Sequence, residues 1–265
     1  MNTIHKSAVI SKKAGLGSKN VIGPNVVIEA GVTIGSNNII GPGAVIFKGT
    51  LMGDGNRIHA GTVIGDTPQD VAFSGVESFV EIGNNNRIRE YCTIHRGTKA
   101  HSSTMIGNDN FFMGCTHVAH NCQIGSGIVT VNTAVLGGYV AVDDAAFISA
   151  SVVIHQYCRI GKYAIISGLS AVNQDIPPFM ACGGRPAMVH SINTVGLKRA
   201  GIAPAVRSDI KQAFKLLYRS GLSLTNALEK IKKQCKSDEV LYLVVFCKSA
   251  ARGIASCGEG DDYRF

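Results

Sequence analysis

An apolar residue returns at every sixth position through most of this chain. Stepping by six from Ile4 meets Ile10, Leu16, Ile22, Ile28, Ile34, Ile40, Ile46, Met52, Ile58 and Ile64. The phase lapses, then returns unchanged at Ile82, Ile88 and Ile94. After a second lapse it returns at Ile106, Phe112, Val118 and Ile124. It then runs through Leu136, Val142, Ile148, Ile154, Ile160 and Ile166 to Val172, with Thr130 the one polar residue in phase. Hydrophobic residues make up 45% of the sequence, so chance would have broken such a run many times.

Neither a helical period of 3.6 nor simple alternation produces a strict six. A short strand, a turn and another short strand do, with the in-phase residue pointing inward. Glycine often follows it (Gly17, Gly23, Gly35, Gly41, Gly53, Gly107, Gly125, Gly137, Gly161), and this glycine is expected to supply the unusual dihedrals of the turn. Three positions further on, residues are small or β-branched, among them Val26, Ala44, Ala134, Ala146 and Val152. Cys92, Cys122 and Cys158 share that slot. The eight cysteines form no CxxC pair and read as buried small hydrophobes rather than disulfides. Three six-residue sides close a coil of 18, and stacked coils pair as parallel strands ~4.8 Å apart.

The lapses at 65–81 and 95–105 preserve the phase and read as loops leaving the coil, a common place for function on a rigid scaffold. The repeat stops at Gln174-Asp175-Ile176-Pro177-Pro178. Ile210, Ala213, Phe214, Leu217 and Tyr218 then form a helical face, and Val240, Leu241, Val244 and Val245 suggest another. The expected organisation is a mainly β coil domain over 1–190 and a small α-helical domain over 191–265. The tail from Gly258 to Phe265 reads as frayed.

No run approaches the ~18 apolar residues of a membrane span, and the N-terminus lacks the apolar core of a secretion signal. A cytoplasmic protein without integral membrane contact is expected. The net charge of +8 suits an anionic partner such as a phosphorylated substrate or an acidic protein, and equally suits a merely basic surface. Nucleic acid is not an expected partner.

Stacking provides a distance rule, because residues 18 apart lie one strand spacing from each other. His120 therefore neighbours Gly138, which neighbours Gln156. Asn121, Tyr139 and Tyr157 form the next column. His120 is the general-base candidate, since imidazole titrates near neutrality and can take a hydroxyl proton. Gly138 can bring its backbone N–H close to an oxyanion, and Gln156 supplies an amide. Surface decoration and plain backbone permissiveness would place the same residues there without any chemistry. His117 and His120, with His95 and His155 nearby, also allow a zinc site of the kind found in β-helix carbonic anhydrases, although the spacing alone is a weak metal signal. Lys198 and Arg199 could meet a diphosphate or an acidic carrier, or could form a solvated helix face.

The hexads resemble those of left-handed parallel β-helix acyltransferases, and the expected hand comes from that resemblance. A more specific set runs through the chain in order: Pro68-Gln69-Asp70, Asn86-Arg87-Ile88-Arg89-Glu90, Thr93-Ile94-His95-Arg96-Gly97-Thr98, His117-Val118-Ala119-His120-Asn121-Cys122, Val153-Ile154-His155-Gln156, Gln174-Asp175-Ile176-Pro177-Pro178, Gly196-Leu197-Lys198-Arg199 and Arg252-Gly253-Ile254. Together they resemble the UDP-N-acetylglucosamine O-acyltransferase family that begins lipid A biosynthesis.

The resemblance implies a homotrimer with sites between subunits. It implies transfer of an (R)-3-hydroxyacyl chain from acyl carrier protein to the glucosamine 3-hydroxyl of UDP-GlcNAc. His120 would be the base and Gly138 the donor to the thioester oxygen. Asp70, His117 and Gln156 would meet the sugar, with Gln69 and His95 beside them. Asn193 and Arg199 would lie near the nucleotide, and Gly168 at the acyl-ruler position. No metal and no bound cofactor are implied, the phosphopantetheine of the carrier arriving as co-substrate. Asn121, Tyr139, Ala72, Pro186 and Ala200 depart from the family pattern, where aspartate, histidine, lysine, histidine and arginine are common. These changes raise the alternative of N-acylation on the 3-amino analogue of UDP-GlcNAc. A catalytically silent sugar-nucleotide-binding β-helix is the other alternative.

Overall fold

The structure is a computed structural model and describes residues 1–258. Most strands are only two residues long, and each is followed by a corner. They line up in three sheets of 11, 9 and 8 strands. The first face starts at Thr3–Ile4, the second at Val9–Ile10 and the third at Gly15–Leu16, and each strand pairs in parallel with the strand one coil later. The result is a left-handed parallel β-helix of triangular section. The in-phase residues fill its axis, and Ile28, Ile46, Ile64, Ile88, Leu136 and Ile160 are essentially without solvent contact. Thr130, the polar exception, is buried with its hydroxyl 3.2 Å from that of Thr116.

The corners correct the role expected of glycine. Left-handed backbone falls two residues after the position where glycine is common, whether or not glycine fills it, at Lys19, Asn25, Asn37, Cys115, Asn121, Tyr139 and Tyr157 among others. The glycine itself is required by close packing. A Cβ on Gly17 would lie 2.6 Å from the Gly35 carbonyl oxygen, and one on Gly107 2.6 Å from that of Gly125.

The corner between the third and first faces holds a device the hexads do not announce. Asn20, Asn38, Asn56, Asn86 and Asn110 stack there, all buried. Each accepts the backbone N–H of the next coil on its Oδ1, ending with the Ile128 N–H on Asn110. Each amide nitrogen donates to a glycine carbonyl, from Gly35 to Gly125.

Of the cysteines, Cys92, Cys122 and Cys158 are buried and free as expected, whereas Cys115, at a left-handed corner position, is exposed. Strand pairing reaches further into each lapse than the phase suggests. Strands Val63–Asp66 and Phe79–Ile82 flank the first, and Thr93–His95 and Ser103–Ile106 the second, so the excursions are 67–78 and 96–102.

After Val172 an antiparallel hairpin, Met180–Gly184 with Ala187–Ile192, ends the first face. Helices α1 (Thr194–Arg199), α2 (Pro204–Tyr218), α3 (Leu224–Gln234) and α4 (Asp238–Lys248) follow. Ile210 and Ala213 are buried in α2, with Leu216 beside them. In α4 the buried residues are Val240, Leu243, Val244, Phe246 and Cys247. The expected face there is corrected. An i, i+3, i+4, i+7 stripe from Val240 leaves Leu241 and Val245 on the outside, 41% and 63% exposed. Arg159 ties this layer to the coil by stacking 4.0 Å over Phe246 and donating to the Ser249 carbonyl. Gly258 donates its N–H to Val189, and the rest of the tail read as frayed lies outside the described residues.

Candidate active site

The second face and the corner after it gather most of the singled-out residues. The pairing of Thr93 with His117 puts the imidazoles of His95 and His117 4.9 Å apart, edge to face. The column rule holds, since Tyr139 donates its N–H to the His120 carbonyl and Tyr157 to that of Gly138. The Tyr139 and Tyr157 rings stack 4.8 Å apart at 13°. The same contact explains Gly138. A Cβ there would stand 2.3 Å from Cε1 of His120, so glycine makes room for the imidazole itself. Its N–H donates to no group among the described residues.

His120 is 8% exposed. Nδ1 lies 3.1 Å from Oδ1 of Asn121, and Nε2 lies 3.9 Å from Oδ2 of Asp70, which reaches in from the 67–78 excursion. Asp70 is fixed by accepting the Ala72 N–H at 2.9 Å. Burial, reinforced by His95 and His120, lowers the His117 pKa to about 4, and its Nδ1 meets the Thr93 hydroxyl at 2.7 Å. Burial also lowers His95, whose Nδ1 has no hydrogen-bond partner. Both rings are therefore neutral near pH 7, and a neutral imidazole beside a base can donate and accept hydrogen bonds to a polyhydroxyl ligand.

Gln156 is exposed in the column two coils above His120, and Gln69 is exposed beside Asp70. Asn193, Arg199 and Gly168 stand elsewhere. Asn193 and Arg199 line a groove of ≈ 650 Å³ on the first face, floored by Phe147, Tyr163 and Ile165. The Asn193 side chain caps α1 by accepting from Gly196 and donates to the Tyr163 carbonyl, so its polar atoms are already engaged. Gly168 is exposed at the corner between the first and second faces, where a Cβ would lie 3.3 Å from the Ala150 oxygen. One chain thus presents two separate groups of candidate residues, with Gly168 in neither.

Sequence reasoning missed the supports of this cluster. Buried Arg96 donates to the Gly65 carbonyl and lies under Phe73, holding the first excursion against the second. Thr98, Ser102 and Thr104 surround Asn121. Thr98 and Ser102 belong to the excursion that leaves the coil, so the 18-residue rule cannot place them, whereas Thr104 lies in the strand that re-enters it. Within a single chain, no three His, Cys, Asp or Glu side chains among the described residues converge to hold a metal ion.

Comparison with known proteins fits this geometry. Residues 175–255 match the second domain of the family described as Udp N-acetylglucosamine O-acyltransferase, and residues 13–48 match the bacterial transferase hexapeptide repeat. A protein of Thermodesulfovibrio yellowstonii named acyl-[acyl-carrier-protein]–UDP-N-acetylglucosamine O-acyltransferase is 43% identical over 96% of this chain and 99% of its own. One of the same name from Janthinobacterium sp. (strain Marseille) is also 43% identical, with the same coverage of both chains. The crystal structure of a UDP-N-acetylglucosamine acyltransferase from Bacteroides fragilis 9343 superposes with a TM-score of 0.94 at 42% identity, covering 95% of this chain and 99% of that one.

Proposed function

This chain belongs to the acyl-[acyl-carrier-protein]–UDP-N-acetylglucosamine O-acyltransferase family, and from that premise we propose how its own residues carry the transfer. The activity is acylation of UDP-GlcNAc from acyl carrier protein, in lipid A biosynthesis. In our reading the acyl group is an (R)-3-hydroxyacyl chain and the acceptor is the glucosamine 3-hydroxyl.

Nε2 of His120 takes the hydroxyl proton as the oxygen attacks the thioester carbon. The Gly138 N–H donates to the carbonyl oxygen as negative charge builds on it. Collapse expels the carrier thiolate, which regains a proton, so no covalent acyl-enzyme is needed. Asp70, His117 and Gln156 hold the sugar, with His95 and Gln69 beside them. Arg199 meets the diphosphate and Asn193 positions the helix that carries it. Gly168 leaves space for the acyl chain. His120 and Arg199 occupy different sides of one prism, which supports a homotrimer with each site shared by two copies. No resident cofactor enters these steps. Among the described residues no helix is long and apolar enough to cross a membrane, and we place the reaction in the cytoplasm, where the carrier and the sugar nucleotide are available.

The observation that carries the reading is the buried imidazole set between Asn121 and Asp70 beneath a glycine shaped to receive it. The test is His120→Ala, expected to leave a folded assembly with turnover lowered roughly 10²–10⁴-fold. Wild-type turnover would remove His120 from the mechanism. A second reading keeps the machinery and changes the acceptor to the 3-amino analogue. It is carried by the uncharged Asn121, because an amine needs less help from a base. Equal or better turnover with plain UDP-GlcNAc would sink it.

A further inference from the structure

We propose that Thr98 and Ser102 are positioning residues that decide which nitrogen of His120 carries its proton, with Tyr139 completing their arrangement. The proposal deepens the reading of His120 as the base and rests on it. Asn121 Oδ1 accepts the Thr98 N–H at 3.0 Å and the Thr98 hydroxyl at 2.9 Å. Its Nδ2 donates to Ser102 Oγ at 3.0 Å, and that hydroxyl gives its own proton to the Lys99 carbonyl at 2.7 Å. The Asn121 backbone N–H goes to Thr104 Oγ1 at 2.8 Å.

The carboxamide therefore has one satisfied orientation. Turned over, its NH2 would face a backbone N–H, and its oxygen would face a hydroxyl whose proton is already used. With Oδ1 fixed 3.1 Å from Nδ1 of His120, that nitrogen must bear hydrogen, because two bare acceptors would repel. A neutral imidazole protonated at Nδ1 has its lone pair on Nε2, the atom on the Asp70 side. The Thr98 proton points to Asn121, so the Tyr139 hydroxyl, 3.0 Å away, donates to Thr98 Oγ1. An aspartate at 121 would need no such supports, since its two oxygens are equivalent acceptors.

That difference supplies the test. Thr98→Val and Ser102→Ala are combined in the native background and in Asn121→Asp, and each product is compared with its own parent. The pair should lower kcat about tenfold to a hundredfold in the native background, with KM for UDP-GlcNAc moving less than about threefold. In Asn121→Asp the same pair should cost no more than about twofold. Nitrogen-15 NMR of the imidazole should show Nδ1–H in the native protein and a mixture of tautomers once Thr98→Val and Ser102→Ala are combined, leaving only the Thr98 N–H to orient Asn121, a readout independent of turnover. Equal losses in both backgrounds, no loss in either, or an unchanged tautomer would overturn the proposal. Full activity of His120→Ala would overturn the base reading instead and leave the tautomer result standing.

Discussion

His117 and His120 are three positions apart, yet their surroundings give them different chemistry. Burial and the neighbouring His95 and His120 lower His117 to about 4 from a usual 6.5. The unfolded chain binds a proton there near pH 6.5, and the folded chain refuses it until about pH 4. Between those values the unfolded state holds more protons, so stability rises with pH across this window. Burial of His95 acts in the same direction. Thermal melts should therefore show the midpoint falling as pH drops from 7 to 5, and His117→Gln should flatten that slope. An unchanged slope would mean His117 takes its proton in place. The sequence made the His120–Gly138–Gln156 column legible because an uninterrupted coil converts spacing into distance. It did not reveal Thr98 or Ser102, which reach Asn121 from an excursion outside the coil. It also did not show that Gly138 is required by the imidazole beside it, since a collision between a Cβ there and the side chain one coil away leaves no periodic trace.

At the scale of the element, the asparagine stack does what strands of two residues cannot do alone. Asn86 accepts the Asn110 N–H and donates to Asn56 and to the Gly107 carbonyl. Asn86→Leu would leave a buried N–H and a buried C=O unpaired, a loss of about 2–4 kcal/mol. Chemical denaturation should show the midpoint reduced at an unchanged slope, and a neutral result would show that water repairs the corner. The stack was present in the sequence as asparagine recurring in the slot otherwise filled by small residues. The hexad pattern sorts that slot by size and so hides its hydrogen-bonding role. The faces of the prism were legible for the opposite reason, because neither a helix nor a plain alternating strand places an inward apolar residue at every sixth position. In the helices the second stripe differs from the expected one at two residues, Leu241 and Val245, which are exposed. Val240 anchors two overlapping apolar patterns, and only packing chooses Leu243 over Leu241.

For the whole molecule, the separation of His120 from Arg199 has a measurable outcome under the proposed assembly. His120→Ala and Arg199→Ala should each be impaired. Mixed trimers formed by co-expression should regain about a quarter of native turnover, because a head-to-tail interface reunites both intact residues in that share of sites. No recovery would place the whole site within one chain. The prism has a further property that no single contact reveals, which is that it keeps its faces aligned by counting. Gly75 and Gly127 are both exposed, both left-handed, and both open to an added Cβ, so substitution treats them alike. Deletion should not. Gly75 lies in the 67–78 excursion, where slack absorbs a missing residue. Gly127 lies in a corner, where its loss would turn every later inward isoleucine toward solvent. The deletion at 75 should give a folded protein and the deletion at 127 an insoluble one. Proteolysis and solubility would tell them apart. In this molecule length carries information that side-chain identity does not, much as a reading frame does in a message.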